Sequence, residues 1–136
     1  DSGGRRIKRS IFIDMNSIRF CSDKEIEKYK KNGWLKEDCN ENVVNLGVFR
    51  NYLEQFLSTH PLVNKELISM VRQLQPTPQG LPLELYFFYN GTTWIPYEHA
   101  QADVFEHVFA ILPEFGLKVF QSPTGKDFTT LGYEQN

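Results

Sequence analysis

Apolar residues recur at every second position through Leu81–Tyr89. Leu81, Leu83, Leu85, Phe87 and Tyr89 fall on one face, and Pro82, Glu84, Tyr86 and Phe88 on the other. A period of two is that of a strand packed from one side. Tyr86 and Phe88 make the second face apolar as well, which predicts a central strand or one covered by another layer. The preceding run, Leu67–Leu74, predicts a partner strand. Between the two, Gln75–Gly80 holds Pro76 and Pro78. Proline fixes φ and donates no ladder hydrogen bond, so this loop is expected to be stiff and to project from one end of a β-hairpin.

The rest of the chain supplies elements to pack on that hairpin. Ile7, Ile11, Ile13 and Met15 share a parity within a β-branched run, predicting a first strand over 7–15. Ser22-Asp23-Lys24-Glu25 has the pattern of a capping box. The helix it opens runs to Asn32 and closes at Gly33, a residue suited to the left-handed position after a helix. Only Ile26 and Tyr29 are apolar on it, so it is expected to be short and mostly exposed. Trp34–Val44 shows no period and reads as an ordered loop pinned by Trp34. Residues 21–44 together are expected to form a surface insertion.

Leu46–Thr59 is a stronger helix. Phe49, Tyr52, Leu53, Phe56 and Leu57 make an apolar stripe at helical spacing, with Asn45 as the expected N-cap and His60-Pro61 as the stop. After a turn at Asn90-Gly91, a second long helix is expected within Trp94–Phe115. Pro96 suits its first position. Tyr97, Ala100, Val104, Phe105, Val108, Ile111 and Leu112 mark its buried face. Leu117–Gln121 is expected as a short fourth strand. Apolar density falls from Ser122 onward, and that tail is expected to be disordered or ordered only by a partner.

The order is βαββαβ. Right-handed crossovers around an antiparallel sheet then predict an α+β, ferredoxin-like split-βαβ sandwich. The expected strand order is 4-1-3-2, with the second strand at one edge and two helices on one face. One domain is expected for 136 residues. It divides into a leading segment with the first strand (1–20), the insertion (21–44), the remainder of the α/β domain (45–122) and the tail (123–136). This fold class hosts many unrelated functions, so sequence physics yields a fold here and not a function.

Composition narrows the classes. Hydrophobic content of 40% suits a globular core, and a net charge of −2 argues against a protein that mainly neutralises phosphates. Cys21 and Cys39 read as unpaired thiols of a reducing compartment, with a disulfide as the minor reading. His60, His99 and His107 are scattered and supply no ligand cluster, so no metal is expected. No apolar run approaches the roughly 20 residues of a membrane helix. The chain begins without Met and reads as a piece of a longer protein.

Charge and aromatic placement give the candidate sites. Arg5, Arg6, Lys8 and Arg9 are a dense basic cluster, either a solvated strand start or a contact with an acidic neighbour. The second long helix carries Glu98, Asp103, Glu106 and Glu114 and no Lys or Arg. Such a face is most often merely solvated; the sharper reading is that it steers cations or docks a basic surface. Each histidine reads as a helix-surface or helix-end residue rather than a base. No phosphate loop, GxGxxG or HExxH is present, and neither enzymatic activity nor a cofactor is expected. Tyr86 and Phe88 could mimic the stacking platform of an RNA-recognition fold, but their strand lacks the basic-Gly-aromatic pattern of that module. The plainer reading is contact with a neighbouring domain or subunit, and no nucleic-acid partner is expected. A metabolite-binding regulatory domain is the remaining alternative, although nothing marks a ligand.

Three long runs carry a resemblance: GRRIKRSIFIDMNSIRF (Gly4–Phe20), NLGVFRNYLEQFLSTHP (Asn45–Pro61) and VRQLQPTPQGLPLELYFFYNGTTWIPYEHAQADVFEHVFAILPEFGLKVFQSPTG (Val71–Gly125). Together they resemble the C-terminal cytoplasmic region of bacterial small-conductance mechanosensitive channels, the MscS-like family, in its miniconductance-type branch. The likeness implies an inner-membrane protein with transmembrane helices preceding this chain. It implies a heptameric cytoplasmic cage with side openings, and release of ions and small osmolytes when membrane tension rises. Residues 21–44 are an insertion relative to the shorter prototype channels, and the tail after Gly125 is too short and polar to decide whether it forms their closing barrel. Geometry rather than the resemblance makes the second strand, as an edge, and the projecting loop with Pro76 and Pro78 candidate subunit contacts, and Arg5, Arg6, Tyr86 and Phe88 are candidate subunit or domain contacts. Asp103 and Glu106 are the candidate acidic face of an opening.

Overall fold

A computed structural model describes residues 5–91 and 96–121. The Trp94 part of the second long helix and the whole tail 123–136 lie outside them. Strand β1 spans Arg5–Ile13, helix α1 Asp23–Lys31, helix α2 Asn45–Thr59, strand β2 Met70–Gln73, strand β3 Leu81–Tyr89 and helix α3 Tyr97–Ile111. Short 3-10 turns follow β1 at Met15–Ser17 and α3 at Leu112–Phe115. The fold is α+β, around a three-stranded sheet in the order β1-β3-β2 with both neighbouring pairs antiparallel.

The alternation in β3 marks its core side, while on the other face Pro82 and Glu84 are also buried and Tyr86 and Phe88 half-buried. Leu81, Leu83, Leu85, Phe87 and Tyr89 are all buried, and β3 is the central strand. They form one core with Ile7, Ile11 and Ile13 of β1, Leu53 and Leu57 of α2, and Val104 and Val108 of α3. Burying a side chain of this kind is worth roughly 1.5–3 kcal/mol before entropy. Helix α2 lies against β2 and α3 against β3. The hairpin forms with Gln73 opposite Leu83 and β2 at an edge of the sheet, but β2 is confined to Met70–Gln73 rather than the expected Leu67–Leu74. Gly80 closes its loop at φ +104, and a Cβ there would stand 2.6 Å from the Ile13 carbonyl oxygen. Only glycine lets the loop and the end of β1 approach so closely.

Several expectations are corrected. The first strand is 5–13 rather than 7–15. Asp14 accepts from the Asn16 amide and turns the chain into the 3-10 segment, which leaves Met15 47% exposed instead of in the apolar row. Asn45 is not the cap of α2. Val44 holds that position without a side-chain bond, and Asn45 is inside the helix and fully buried. Pro96 is the N-cap of α3 rather than its first helical residue. The expected fourth strand is reduced to a single antiparallel bridge, Val119 opposite Ile13, flanked by hydrogen bonds from the Asp14 amide to the Lys118 carbonyl and from the Phe120 amide to the Phe12 carbonyl.

The segment 21–44 is tied to the core more firmly than a surface insertion. The capping box forms as expected: Ser22 Oγ accepts from the Glu25 amide, and the Glu25 carboxylate accepts from the Ser22 amide. Arg19 clamps the same carboxylate with two bonds of 2.7 Å. That clamp holds the Glu25 carboxyl down to about 2. One turn later Tyr29 is 1% exposed. It stacks on Phe115 at 5.4 Å and donates its hydroxyl proton to the Glu114 carbonyl. Burial pushes its phenol up to about 12. Trp34 pins the following loop by joining the same cluster, 4.8 Å from Phe115 and 6.0 Å from Tyr29.

Candidate functional site

Strand alternation puts Arg6, Lys8, Ser10 and Phe12 of β1 on the sheet face away from the helices. The register sets them opposite Phe88, Tyr86, Glu84 and Pro82 of β3. Met70 and Arg72 of β2 complete the face beside Tyr86 and Glu84. Tyr86 and Phe88 are half-buried and meet edge to face at 5.7 Å. Glu84 is only 5% exposed although no described helix covers it. Arg72 Nε donates to its carboxylate at 2.7 Å and answers the charge. The structure thus gathers Arg6, Tyr86 and Phe88 on one surface.

The remaining candidates lie elsewhere. Arg5 is on the helix side of the strand, its guanidinium 3.7 Å from the centre of the Tyr97 ring. Arg9 sits likewise over Phe105 at 4.4 Å. The basic cluster therefore divides between two faces. Pro76 and Pro78 are exposed in the hairpin loop, where Thr77 and Gly80 exchange backbone bonds. Pro76 borders an apolar hollow of about 740 Å³ lined by Met15, Ile18, Leu46 and Leu81.

Asp103 and Glu106 are both exposed on the outer side of α3. Asp103 faces His60, whose Nε2 is 3.1 Å from its carboxylate. The Leu62 amide donates to His60 Nδ1 at 3.1 Å. Since an amide only donates, Nδ1 is the acceptor and Nε2 carries the proton given to Asp103. With both nitrogens engaged, His60 joins the end of α2 to α3 rather than serving as a base. Glu106 takes no part in the ion pairs between described residues.

Pattern reading missed a second link between these helices. His107 Nε2 and the Tyr52 hydroxyl are 2.5 Å apart, and the imidazole stacks on Phe56 at 4.2 Å. Desolvation lowers the His107 pKa and the neighbouring His60 adds to the effect, against an opposing pull from Asp103. The native state therefore resists protonation there more than the unfolded chain does. Its contribution is fully present above the ordinary imidazole value and is lost as pH falls through the depressed one. We expect the urea midpoint to drop on acidification from pH 8 to 5, and less steeply in His107→Phe, which keeps the stack without the proton. Equal slopes would remove His107 as the cause.

Cys21 and Cys39 are half-buried free thiols, and burial followed by the Glu25 charge raises the Cys21 pKa, which leaves it less reactive than an ordinary thiol. Among the described residues no three His, Cys, Asp or Glu side chains stand close enough to hold a metal ion. Among them too, no helix is long and apolar enough to cross a membrane. No family model matches the chain.

Proposed function

We propose that this chain is the cytoplasmic cage domain of a tension-gated, small-conductance mechanosensitive channel of the bacterial inner membrane. Its role there is assembly and prefiltering, without chemistry of its own. The observation that carries the reading is the long run Val71–Gly125, with RQLQPTPQGLPLE followed by QADVFEHVFAILPEFGLKVFQSPTG. We further propose the split-βαβ arrangement with Leu117–Gln121 as its fourth strand. In support, Val119 opposes Ile13 in antiparallel sense on the free edge of β1, where the order 4-1-3-2 puts that strand.

The gene upstream of Asp1 tests the reading. Several apolar spans of ~20 residues followed by a short β-rich stretch are expected. An upstream frame without such spans would sink it. In the intact channel, Asp103 or Glu106 would then lie near a side opening, at the rim of a contact between copies. Asp103→Asn with Glu106→Gln is expected to shift the reversal potential toward weaker cation preference. The shift should shrink at high salt, since screening acts within about 8–10 Å. Unchanged reversal potentials would take both residues away from the ion path.

A further inference from the structure

The two broad sides of this sandwich are chemically opposite. The sheet face that no described helix covers presents Phe12, which is exposed, and Tyr86 and Phe88, which are half-buried, with Arg6 and Lys8 exposed along β1. On the far side, the outer stripe of α3 presents Glu98, Ala102, Glu106, Phe109 and Ala110, all exposed. None of the ion pairs between described residues uses Arg6, Lys8, Glu98 or Glu106. Unpaired cations and unpaired carboxylates thus stand on opposite sides of one layer pair, where they cannot meet within a chain. We propose that the open sheet face of one copy of this chain docks on the outer face of α3 of a second copy, head to tail.

Three physical points favour this occupant. An uncovered sheet face is completed by a helix in the common layered architectures, and α3 offers a suitable one. Ala102 and Ala110 are small enough to let its backbone approach Tyr86 and Phe88, with Phe109 as an apolar contact that is 39% exposed. A sheet-to-sheet pairing would give Arg6 and Lys8 no free carboxylate, because Glu84 is already held by Arg72. A polyanion suits the face less well, because that same carboxylate sits at its centre and the whole chain carries −2. Because the contact is heterologous, it leaves a free face at each end and builds a ring or an open chain according to the rotation it imposes.

The footprint is small. Strands of this length at ~3.4 Å per residue, spaced ~4.8 Å apart, cover roughly 300–450 Å². A stable interface takes about 800 Å² per partner. The isolated chain is therefore expected to associate weakly, and copies held side by side by other parts of an assembly to associate strongly. The inference deepens the proposed function by naming the two surfaces, and it rests on that reading only in expecting copies to be held close.

The test is self-association of the 136-residue chain by sedimentation across concentration, at low and high salt. Arg6→Glu with Lys8→Glu, or Glu98→Lys with Glu106→Lys, is expected to weaken it about tenfold or more. An equal mixture of the two variants is expected to recover it, since each reversed face meets its complement. A wild-type chain that stays monomeric at every concentration would overturn the proposal, as would a mixture that fails to recover. A second measurement does not depend on how the variants fold. Zero-length carbodiimide cross-linking of mixed light and heavy wild-type chains is expected to give Lys8–Glu98 or Lys8–Glu106 products that combine both isotopes. Their absence, with an oligonucleotide instead shifting the Tyr86 and Phe88 amides, would assign the face to single-stranded nucleic acid. Upstream membrane spans without these products would leave the channel reading intact and remove the contact; the converse result would do the opposite.

Discussion

Replacing Asn45 with alanine is expected to lower the unfolding free energy by roughly 3–5 kcal/mol. The residue is fully buried at the start of α2. Its side-chain oxygen accepts from the Arg19 amide at 3.0 Å, and its side-chain nitrogen donates to the carbonyls of Ser17 and Phe115 at 3.0 and 2.9 Å. One amide thereby joins the segment after β1, the first turn of α2 and the 3-10 turn after α3. Alanine would leave one backbone donor and two acceptors facing a void. Each such buried group costs about 1–3 kcal/mol when unpaired, so the sum falls in the stated range after some relaxation. Asn45→Asp is expected to be no better, because it keeps the acceptor for Arg19 and turns its other oxygen toward two carbonyls. Urea denaturation of both variants checks this. A loss below about 1 kcal/mol in Asn45→Ala would mean that water substitutes for the amide and that the junction is not held by it.

The contrast between Asn45 and β3 shows what the chain makes legible. Alternation in Leu81–Tyr89 marks the core face because strand geometry alone decides which side chains share a face, whereas the burial of Pro82 and Glu84 on the other face is set by their neighbours and not by period. The capping box at Ser22–Glu25 is likewise local, and its three-residue spacing suffices to find it. Asn45 was legible only as a residue type that often caps helices. Its true partners, at Ser17 and Phe115, are set by tertiary approach and leave no periodic trace. The same holds for the His107–Tyr52 and His60–Asp103 links. Each joins residues far apart in sequence on two helices whose apolar stripes show in the pattern but whose relative azimuth does not. The Arg72–Glu84 pair had a weak signal, as opposite charges on two runs already expected to form a hairpin. Of the candidate contact residues, Arg6, Tyr86 and Phe88 could be grouped once the register was known. Arg5 differs from Arg6 by one residue and so falls on the other face.

Helix α1 has only Ile26 and Tyr29 buried, and the ring cluster that anchors it is the second place where a single substitution is expected to have a large effect. Phe115→Ala is expected to cost about 3–5 kcal/mol, the usual range for removing a fully buried aromatic side chain. Phe115 is fully buried, and four rings meet it: Trp34 at 4.8 Å, Phe49 at 5.1 Å, Tyr29 at 5.4 Å and Tyr52 at 5.5 Å. Those rings come from α1, from the loop after it and from α2, so one side chain is the common floor of three segments. Besides Phe115, Tyr29 meets Trp34 and Trp34 meets Tyr52, whereas Phe49 and Tyr52 belong to a helix that also packs on the sheet. The loss is therefore expected to fall unevenly. In Phe115→Ala, segment 23–44 should open before the sheet does, with protease cleavage at Lys28, Lys30, Lys31 and Lys36 appearing under conditions where β3 amides remain protected from exchange. Phe115→Leu fills more of the space and should cost less, with slower cleavage. Uniform loss of protection across 23–44 and β3 in Phe115→Ala would show instead that the ring cluster and the sheet unfold as one cooperative unit.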